Sequence, residues 1–269
     1  MESSLSLKRS DLAGEVGLFF GFGRGADNGD TAWTTQAAAA IYSCVDSGLR
    51  NVYYPSGSEG VPAGYEWSFL KPYATLELAE GESVLALPDD FGGIEGDITV
   101  QTPQARSWWP ISLVGPGMVY QRTAELSETT GRPCMACLEP IKGTTATQGQ
   151  RQQIRFWPLA DQDYTVQLQY YLLPDALTAA FPYALGGMAH AETILESCLA
   201  VAEQRLDDMA GVHTMKFRER LQASVAFDRK LKPQNLGYNG DRSDQRHVGL
   251  RGGVYRRDWG QVTVNGVPY

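Results

Sequence analysis

The sequence lacks the features that would place it in a membrane or send it out of the cell. No apolar run approaches the roughly 20 residues that a membrane-spanning helix needs. Residues 1–20 contain no sustained apolar stretch followed by a small-residue cleavage site, so we expect no signal peptide and synthesis in a cytoplasm. The chain of 269 residues is 43% hydrophobic, which is enough for a buried core. The sequence therefore predicts a globular protein rather than a disordered or membrane-spanning one.

Cysteine and histidine, the usual ligands of transition metals, are scarce. The only closely spaced cysteines among the four are Cys134 and Cys137. A zinc site would need two further ligands at a matching spacing, and the three histidines are scattered at 190, 213 and 247. A redox dithiol would open a helix, whereas prolines 133 and 140 bound this segment and indicate a short strand. We interpret the cysteine spacing as accidental and predict no metal and no cofactor.

The motifs of common enzyme classes are also missing. There is no phosphate-binding loop with its lysine, no dinucleotide fingerprint, no metalloprotease helix and no nucleophile elbow. The glycine-rich run at 21–25 lacks the flanking strand and helix of a phosphate site, and Asp89-Asp90 is typical of a turn after a strand. His190 does not share a helical face with Glu192 or Glu196, so it is predicted to be a partly buried structural residue. We therefore expect no catalytic residue and no enzymatic activity.

Charge is distributed unevenly along the chain. Residues 1–211 carry 12 Lys and Arg against 26 Asp and Glu, whereas residues 212–269 carry 11 against 5. An acidic body thus ends in a basic arm, although the net charge is only −8. Such a separation suggests that the arm meets a negative surface, which could be nucleic acid, an acidic protein or the acidic body of a neighbouring copy.

Three segments have the periodicity of amphipathic helices. Residues 31–50 place apolar side chains on one face, with Asp30 as the expected N-cap, and residues 189–208 and 214–230 show the same spacing. The many small side chains of the first segment favour close packing against another helix. Residues 1–30 contain six glycines and are predicted to form a loop-like arm with little core of its own.

Short apolar runs separated by Pro, Gly and Asp clusters fill the middle of the chain and predict an antiparallel β-domain. The clearest strand is 164–171, in which aromatic or apolar residues alternate with polar ones. The pattern predicts no helix between these strands. The candidate strands are 66–70, 75–78, 83–87, 97–101, 118–122, 134–138, 152–157 and 164–171.

These patterns together predict an α+β fold. A helical bundle built from N-terminal and C-terminal helices would contain an inserted antiparallel β-sandwich or barrel and would be followed by an extended C-terminal arm. The predicted divisions are 1–50 for the N-terminal arm and first helix, 51–175 for the β-domain, 176–232 for the closing helices and 233–269 for the arm. The arm is rich in glycine and arginine and carries isolated aromatics, so we expect it to become ordered on a partner.

Several short stretches, in their order and spacing, resemble the head-to-tail adaptor (connector) proteins of tailed bacteriophages. The resemblance covers roughly residues 30–240. It rests on LALPDDF at 85–91, GRP at 131–133, IRFWP at 154–158, YTVQLQYY at 164–171, YALGG at 183–187 and the helix at 189–208. Cys134 and Cys137 depart from the pattern, because aromatic or aliphatic residues are expected at that strand.

The resemblance implies a structural protein of the virion neck, assembled in the host cytoplasm. Such adaptors form a ring, typically of twelve copies, between the portal protein and a tail or nozzle protein, with a channel through which genomic DNA passes without specific binding. Carried onto this chain, the three helical segments would form the ring wall and the arm would dock on the portal. The expected portal contacts are Arg242, Arg246, Arg251, Tyr255, Arg256, Arg257 and Trp259.

The sequence is also compatible with two other functions. The basic arm could belong to a nucleic-acid-binding module, whose affinity would fall steeply with salt. The β-domain could be a sandwich-type hydrolase that uses Asp89 and Asp90 as a carboxylate pair.

Overall fold

The computed structural model describes residues 3–57, 61–102, 109–126, 129–142 and 149–231, together with the backbone at 263–264 and 267–268. Internal contacts divide the chain into two compact units. One unit, called the helical unit here, is built from the segments that end at Lys71 and resume at Leu173. The other contains the continuous stretch Pro72–Leu172, and this stretch is called the barrel unit here. The molecule is thus of mixed α+β class, as the sequence predicts.

The helical unit contains four of the five α-helices in the described residues. Two of them precede the barrel unit in sequence and two follow it, and the first of the two that follow packs against each of the other three. Their bounds are α1 Arg9–Phe19, α2 Thr35–Tyr53, α4 Met188–Asp207 and α5 Val212–Leu231. The three predicted helices are confirmed, with ends that differ by no more than four residues.

Helix α2 and helix α4 approach each other closely at a glycine. A Cβ atom on Gly48 would lie 2.7 Å from the Cα of Cys198. Directly beside it, the Ser197 hydroxyl donates a hydrogen bond of 2.8 Å to the carbonyl oxygen of Gly48. Gly48 is one of the small residues predicted to allow close packing, and the contact between the two helices requires it.

The N-terminal segment is not the loop-like arm that its glycine content predicts. Helix α1 buries Leu12, Val16 and the glycines between and beside them. At Gly17 a Cβ atom would lie 2.5 Å from the carbonyl oxygen of Gly23 and 2.7 Å from the Trp33 ring. These glycines allow close approach within a helix, and they do not mark a flexible segment.

The predicted N-cap of α2 is also wrong. Thr34, four residues later, occupies that position, and its hydroxyl accepts a hydrogen bond from the amide of Ala37. The Asp30 carboxylate instead accepts bonds from the amides of Arg24 and Thr31. Asp30 therefore fixes the preceding glycine-rich loop, which returns the chain from α1 to α2.

The barrel unit is a nearly closed, barrel-like sheet of seven strands, which, numbered along the chain, lie in the order 1-7-3-4-5-6-2. Its core is formed by inward-facing aliphatic and aromatic side chains, among them Leu78, Val100, Ile154, Phe156 and Val166. The strands are β1 Tyr73–Leu78, β2 Val84–Ala86, β3 Phe91–Gln101, β4 Trp109–Leu113, β5 Met135–Ile141, β6 Arg151–Trp157 and β7 Tyr164–Leu172. All neighbouring pairs are antiparallel except β4 and β5, which pair in parallel and depart from the predicted antiparallel arrangement.

Strand β7 confirms the clearest strand prediction, because its residues alternate between buried and partly buried along most of its length. It pairs with β1 on one side and with β3 on the other. Two other predicted strands are wrong. Residues 118–122 lie in helix α3, Pro116–Glu125, where Pro116 stands in the first turn, and residues 68–70 of the predicted strand 66–70 form a short 3-10 helix. A helix therefore does lie between the strands.

Of the C-terminal arm, the described part is a minimal hairpin. Strand β8, Thr263–Val264, pairs antiparallel with β9, Val267–Pro268. The remainder of the predicted arm lies outside the described residues.

Candidate functional site

All seven predicted portal contacts fall in the part of the chain that the structure leaves undescribed. These are Arg242, Arg246, Arg251, Tyr255, Arg256, Arg257 and Trp259. Their role stays a prediction from the sequence.

The two closely spaced cysteines differ in burial. Cys134 is exposed just before β5, while Cys137 is buried in that strand. Residues three apart on a strand point to opposite faces. Burial and the neighbouring Glu139 carboxylate raise the pKa of the Cys137 thiol to about 11. Neither residue joins a group of three or more metal-ligating side chains in the described ranges.

The acidic pair at 89–90 lies in a turn, as predicted. Asp89 forms an ion pair with Arg151, and the Tyr170 hydroxyl donates a hydrogen bond of 3.2 Å to Asp90. The turn is closed by a hydrogen bond from the Phe91 amide to the Pro88 carbonyl oxygen. Each carboxylate therefore bonds a different strand beside the turn.

His190 is more buried than predicted, with 2% of its surface exposed. Its ring lies 5.1 Å from the centroids of both Trp67 and Phe69 and 5.9 Å from that of Phe227. The Nδ1 atom has no hydrogen-bond partner in the described structure. Burial lowers the pKa of His190, against the opposing effect of the Asp228 carboxylate. This histidine is therefore held neutral inside an aromatic cage.

Glu196, which stood near His190 in the sequence, bonds a different histidine. Its carboxylate lies 2.8 Å from Nδ1 of His213 at the start of α5. The ring of Phe19 packs edge-on against His213 at 5.5 Å. One contact group thus joins α1, α4 and α5, and it was not predicted because its members are far apart in sequence.

A fully buried carboxylate, Asp228, connects α5 to the segment before the barrel unit. It accepts a hydrogen bond of 2.7 Å from the Tyr65 hydroxyl and further bonds from the amide and hydroxyl of Ser68. The partners are separated by about 160 residues. No local sequence pattern identifies such a pairing, and its role in the structure is to satisfy buried polar groups.

Glu203 has a comparable structural role at the other end of α5. Its carboxylate accepts hydrogen bonds from the amides of Gly211, His213 and Thr214, which belong to the first turn of that helix and the residue before it. Burial works against its ionisation, but these bonds lower the pKa of Glu203 below its usual value. A residue of α4 therefore caps α5 and fixes the turn between them.

In the barrel unit the most perturbed carboxyl group is Glu139. Burial opposes its ionisation, but hydrogen bonds from Arg155, Gln153 and Tyr120 hold its pKa at about 2. The Arg155 Nε atom lies 2.8 Å from the carboxylate. Because every oxygen of this group is engaged by neighbours on β6 and α3, Glu139 stabilises the sheet and is not available as an acid or base.

A surface cleft in the helical unit has a volume of about 550 Å³. Its floor is apolar, from Val201, Phe217 and Leu221, and Arg218 is the one charged residue of its lining. It contains no pair of carboxylates, no nucleophile next to a base and no histidine. No helix within the described residues is long and apolar enough to cross a membrane.

The carboxylates of Asp228, Glu203 and Glu139 thus bond to the fold itself. The family model of the SU10 adaptor protein matches residues 11–242, most of the chain. The chain therefore belongs to the SU10 adaptor protein family, and the resemblance to phage head-to-tail adaptors is confirmed. No curated protein matches the sequence.

Proposed function

We propose that this protein is a head-to-tail adaptor of a tailed bacteriophage, built into the virion neck as a ring between the portal protein and a tail or nozzle protein. The observation that carries this proposal is the family match over residues 11–242. The carboxylates of Asp228, Glu203 and Glu139 support it, since they link helices and strands of the fold. Assembly would take place in the host cytoplasm, and a ring of twelve copies would enclose a channel for DNA.

The basic arm is proposed to bind the portal protein. Its arginines and aromatics are the residue types that contribute most to protein interfaces. The acidic body would face the DNA in the channel, where repulsion between like charges prevents tight binding.

Cryo-electron microscopy of virion necks tests the adaptor proposal directly, with the ring symmetry determined rather than imposed. We expect density for this chain as a ring between portal and tail. Particles that lack the chain would overturn the proposal.

A charge-reversal variant tests the arm separately. Replacing Arg251, Arg256 and Arg257 together by Glu should block assembly onto the portal while circular dichroism shows an intact fold. The matched control replaces the same three residues by Lys, which keeps the charge and should still assemble. Normal particles from the Glu variant would refute the role of the arm.

The same variants discriminate a nucleic-acid-binding function. If the arm bound DNA, affinity would fall steeply with salt and would be lost in the Glu variant. Weak, arm-independent binding at physiological salt is the result expected of an adaptor.

A further inference from the structure

Strands β1 and β2 lie at the two ends of the seven-stranded sheet, although they follow each other in the chain. Among the described strands, β1 pairs only with β7 and β2 pairs only with β6. The barrel unit is therefore open along one side, between β1 and β2. The outer edge of such a strand exposes backbone donors and acceptors, to which a further strand can bind.

The register of β1 determines which of its backbone groups point to the open side. In an antiparallel pair, every second residue bonds to the partner strand. The Tyr170 amide donates a hydrogen bond of 3.1 Å to the Pro72 carbonyl oxygen, so every second residue from Pro72 onwards faces β7. The backbone groups of Tyr73, Thr75 and Glu77 therefore point outwards, and no described residue forms a hydrogen bond with them. We call this row of backbone groups the β1 edge.

Acidic side chains surround the β1 edge. Residues 72–86 and 158–163, which form β1, β2 and the loops beside them, contain five acidic residues and no Lys or Arg. All five are exposed, and they are Glu77, Glu80, Glu82, Asp161 and Asp163. The Asp163 carboxylate accepts a hydrogen bond of 3.0 Å from the Glu80 amide, which brings the loop before β7 to the turn after β1.

The neighbouring cations do not cancel this negative charge. Strand β7, beside β1, contains no charged residue. The cation directly before β1 and the two on β6 are held in ion pairs, which are Lys71 with Glu66, Arg151 with Asp89 and Arg155 with Glu139. Arg132 lies 4.8 Å from the centroid of the Trp109 ring, and its charge acts on the Tyr164 hydroxyl at the start of β7. Against five carboxylates, this cation leaves the β1 edge acidic.

The C-terminal arm has the opposite charge and can reach this edge. Its residues 246–257, which lie outside the described residues, contain four arginines and no acidic residue. The 14 residues between Leu231, the end of α5, and Arg246 can extend to about 50 Å, nearly four times the radius of gyration of a 100-residue domain. Hairpin β8–β9, which follows this segment, belongs to the same compact unit as the barrel.

We propose that, before the protein meets the portal protein, residues 246–257 pair with the β1 edge of their own chain as an added strand. Strand addition at an exposed sheet edge is a general mode of peptide recognition, in which backbone hydrogen bonds supply the affinity. Tyr73, Thr75 and Glu77 offer three donors and three acceptors, and the surrounding carboxylates attract the arginines. The barrel unit then holds the arm until another partner displaces it.

This inference rests on the proposed function for its consequence alone. Because the segment 246–257 carries five of the proposed portal contacts, binding to the β1 edge and binding to the portal exclude each other. The edge contact itself is tested on the purified full-length chain, without any portal protein. Its failure would leave the portal role standing, and an arm that does not bind the portal would leave the edge contact standing.

Hydrogen exchange of single amides, measured by NMR spectroscopy on the full-length chain, tests the pairing. The amides of Ala74 and Leu76 bond to β7 and should exchange slowly in every variant, so they are the internal control. The amides of Thr75 and Glu77 point to the open side and are protected only where a further strand covers them. The arm variant is Arg246→Glu/Arg251→Glu/Arg256→Glu/Arg257→Glu, and its matched control carries Lys at the same four positions.

In the wild type and the Lys control, the Thr75 and Glu77 amides should exchange slowly, whereas the Glu variant should exchange them at least about tenfold faster. The edge variant Glu77→Gln/Glu80→Gln/Glu82→Gln should accelerate the same two amides, because it removes the attraction from the other side. Unprotected Thr75 and Glu77 amides in the wild type overturn the inference, as does slow exchange that persists in the Glu variant. Protection that rises with protein concentration also overturns it, since the covering strand would then come from another copy.

Discussion

At the scale of single residues, the stability of the helical unit depends on a few polar side chains that are buried. His190 lies in a cage of aromatic rings with an unbonded Nδ1 atom, and Asp228 satisfies the hydroxyl of Tyr65 from a fully buried position. Removing the partner of a buried polar group, or charging a buried neutral one, costs more free energy than the same change at the surface. They therefore give the clearest tests of the structure.

His190 should make the stability of the protein sensitive to mild acid. Its pKa is lowered from the ordinary 6.5 by burial, so the unfolded chain binds a proton there before the folded chain does. The free energy of unfolding must then fall as the pH decreases below about 6.5. We expect urea denaturation between pH 7.5 and 5 to show this loss in the wild type and a flatter profile in His190→Leu.

The other histidine of the helical unit provides the control. In His213→Gln the cage is unchanged, so the pH-dependent loss that is due to His190 should persist. Equal slopes for the wild type and His190→Leu would contradict the assignment.

Asp228 should be among the most sensitive positions of the fold. Asp228→Ala leaves the Tyr65 hydroxyl and the Ser68 amide without this acceptor, and we expect a loss of about 2–4 kcal/mol in the free energy of unfolding. Tyr65→Phe removes one of these bonds together with its donor and should cost only about 1 kcal/mol. Chemical denaturation of the two variants measures the difference, and equal losses would argue against a shared network.

At the scale of elements, the sequence could predict those whose pattern reflects their own burial. Helix α2 and strand β7 each have one clearly apolar face, and both were found close to the expected bounds. Helix α1 was missed because its glycines, needed for close contact with Trp33 and the following loop, look like loop residues in the sequence. Helix α3 was missed because Val119 is its only buried residue, which leaves almost no periodic signal.

Two glycine-to-alanine substitutions should change the stability in opposite directions, because only one of the two glycines lies at a close contact between helices. Alanine favours a helix by about 1 kcal/mol over glycine where there is room. At Gly48 there is none, because the new Cβ would meet the backbone of Cys198, so Gly48→Ala should lose about 1–3 kcal/mol. At Gly117 in α3 nothing lies within 4 Å, so Gly117→Ala should be neutral or slightly stabilising. Thermal unfolding of both variants, followed by circular dichroism, decides between these outcomes.

At the scale of the whole molecule, the barrel unit is continuous in sequence and has its own core. We expect a fragment of residues 72–172 to fold alone, with the circular dichroism of a strand-rich protein and a cooperative urea transition. A fragment with the boundaries predicted from the sequence, 51–175, adds Trp67, which is fully buried and donates a hydrogen bond of 2.8 Å to Val52.

The comparison of the two fragments tests where the barrel unit begins. Residues 51–71 of the longer fragment have lost the helices that cover them and should be removed by limited proteolysis, leaving a core that starts near Pro72. A protected segment 51–71, or an unfolded shorter fragment, would contradict this division.

The charged and aromatic site residues were predicted from a family resemblance, and the structure describes none of them. What the structure adds is a set of partnerships that local sequence cannot show. Asp228 with Ser68 and Glu196 with His213 join residues whose proximity exists only after folding. Periodicity reports how a segment is buried, but it carries no information on which distant segment covers it.

The bond between Ser197 and Gly48 links residues 149 positions apart, with the whole barrel unit between them. During translation, therefore, the whole barrel unit is synthesised before α4. Domains generally fold as units while they emerge. The apolar faces of helices α1 and α2 then stay uncovered until α4 and α5 have been synthesised. Released chains that end at residue 187 should consequently recruit chaperones through these two helices and not through the barrel.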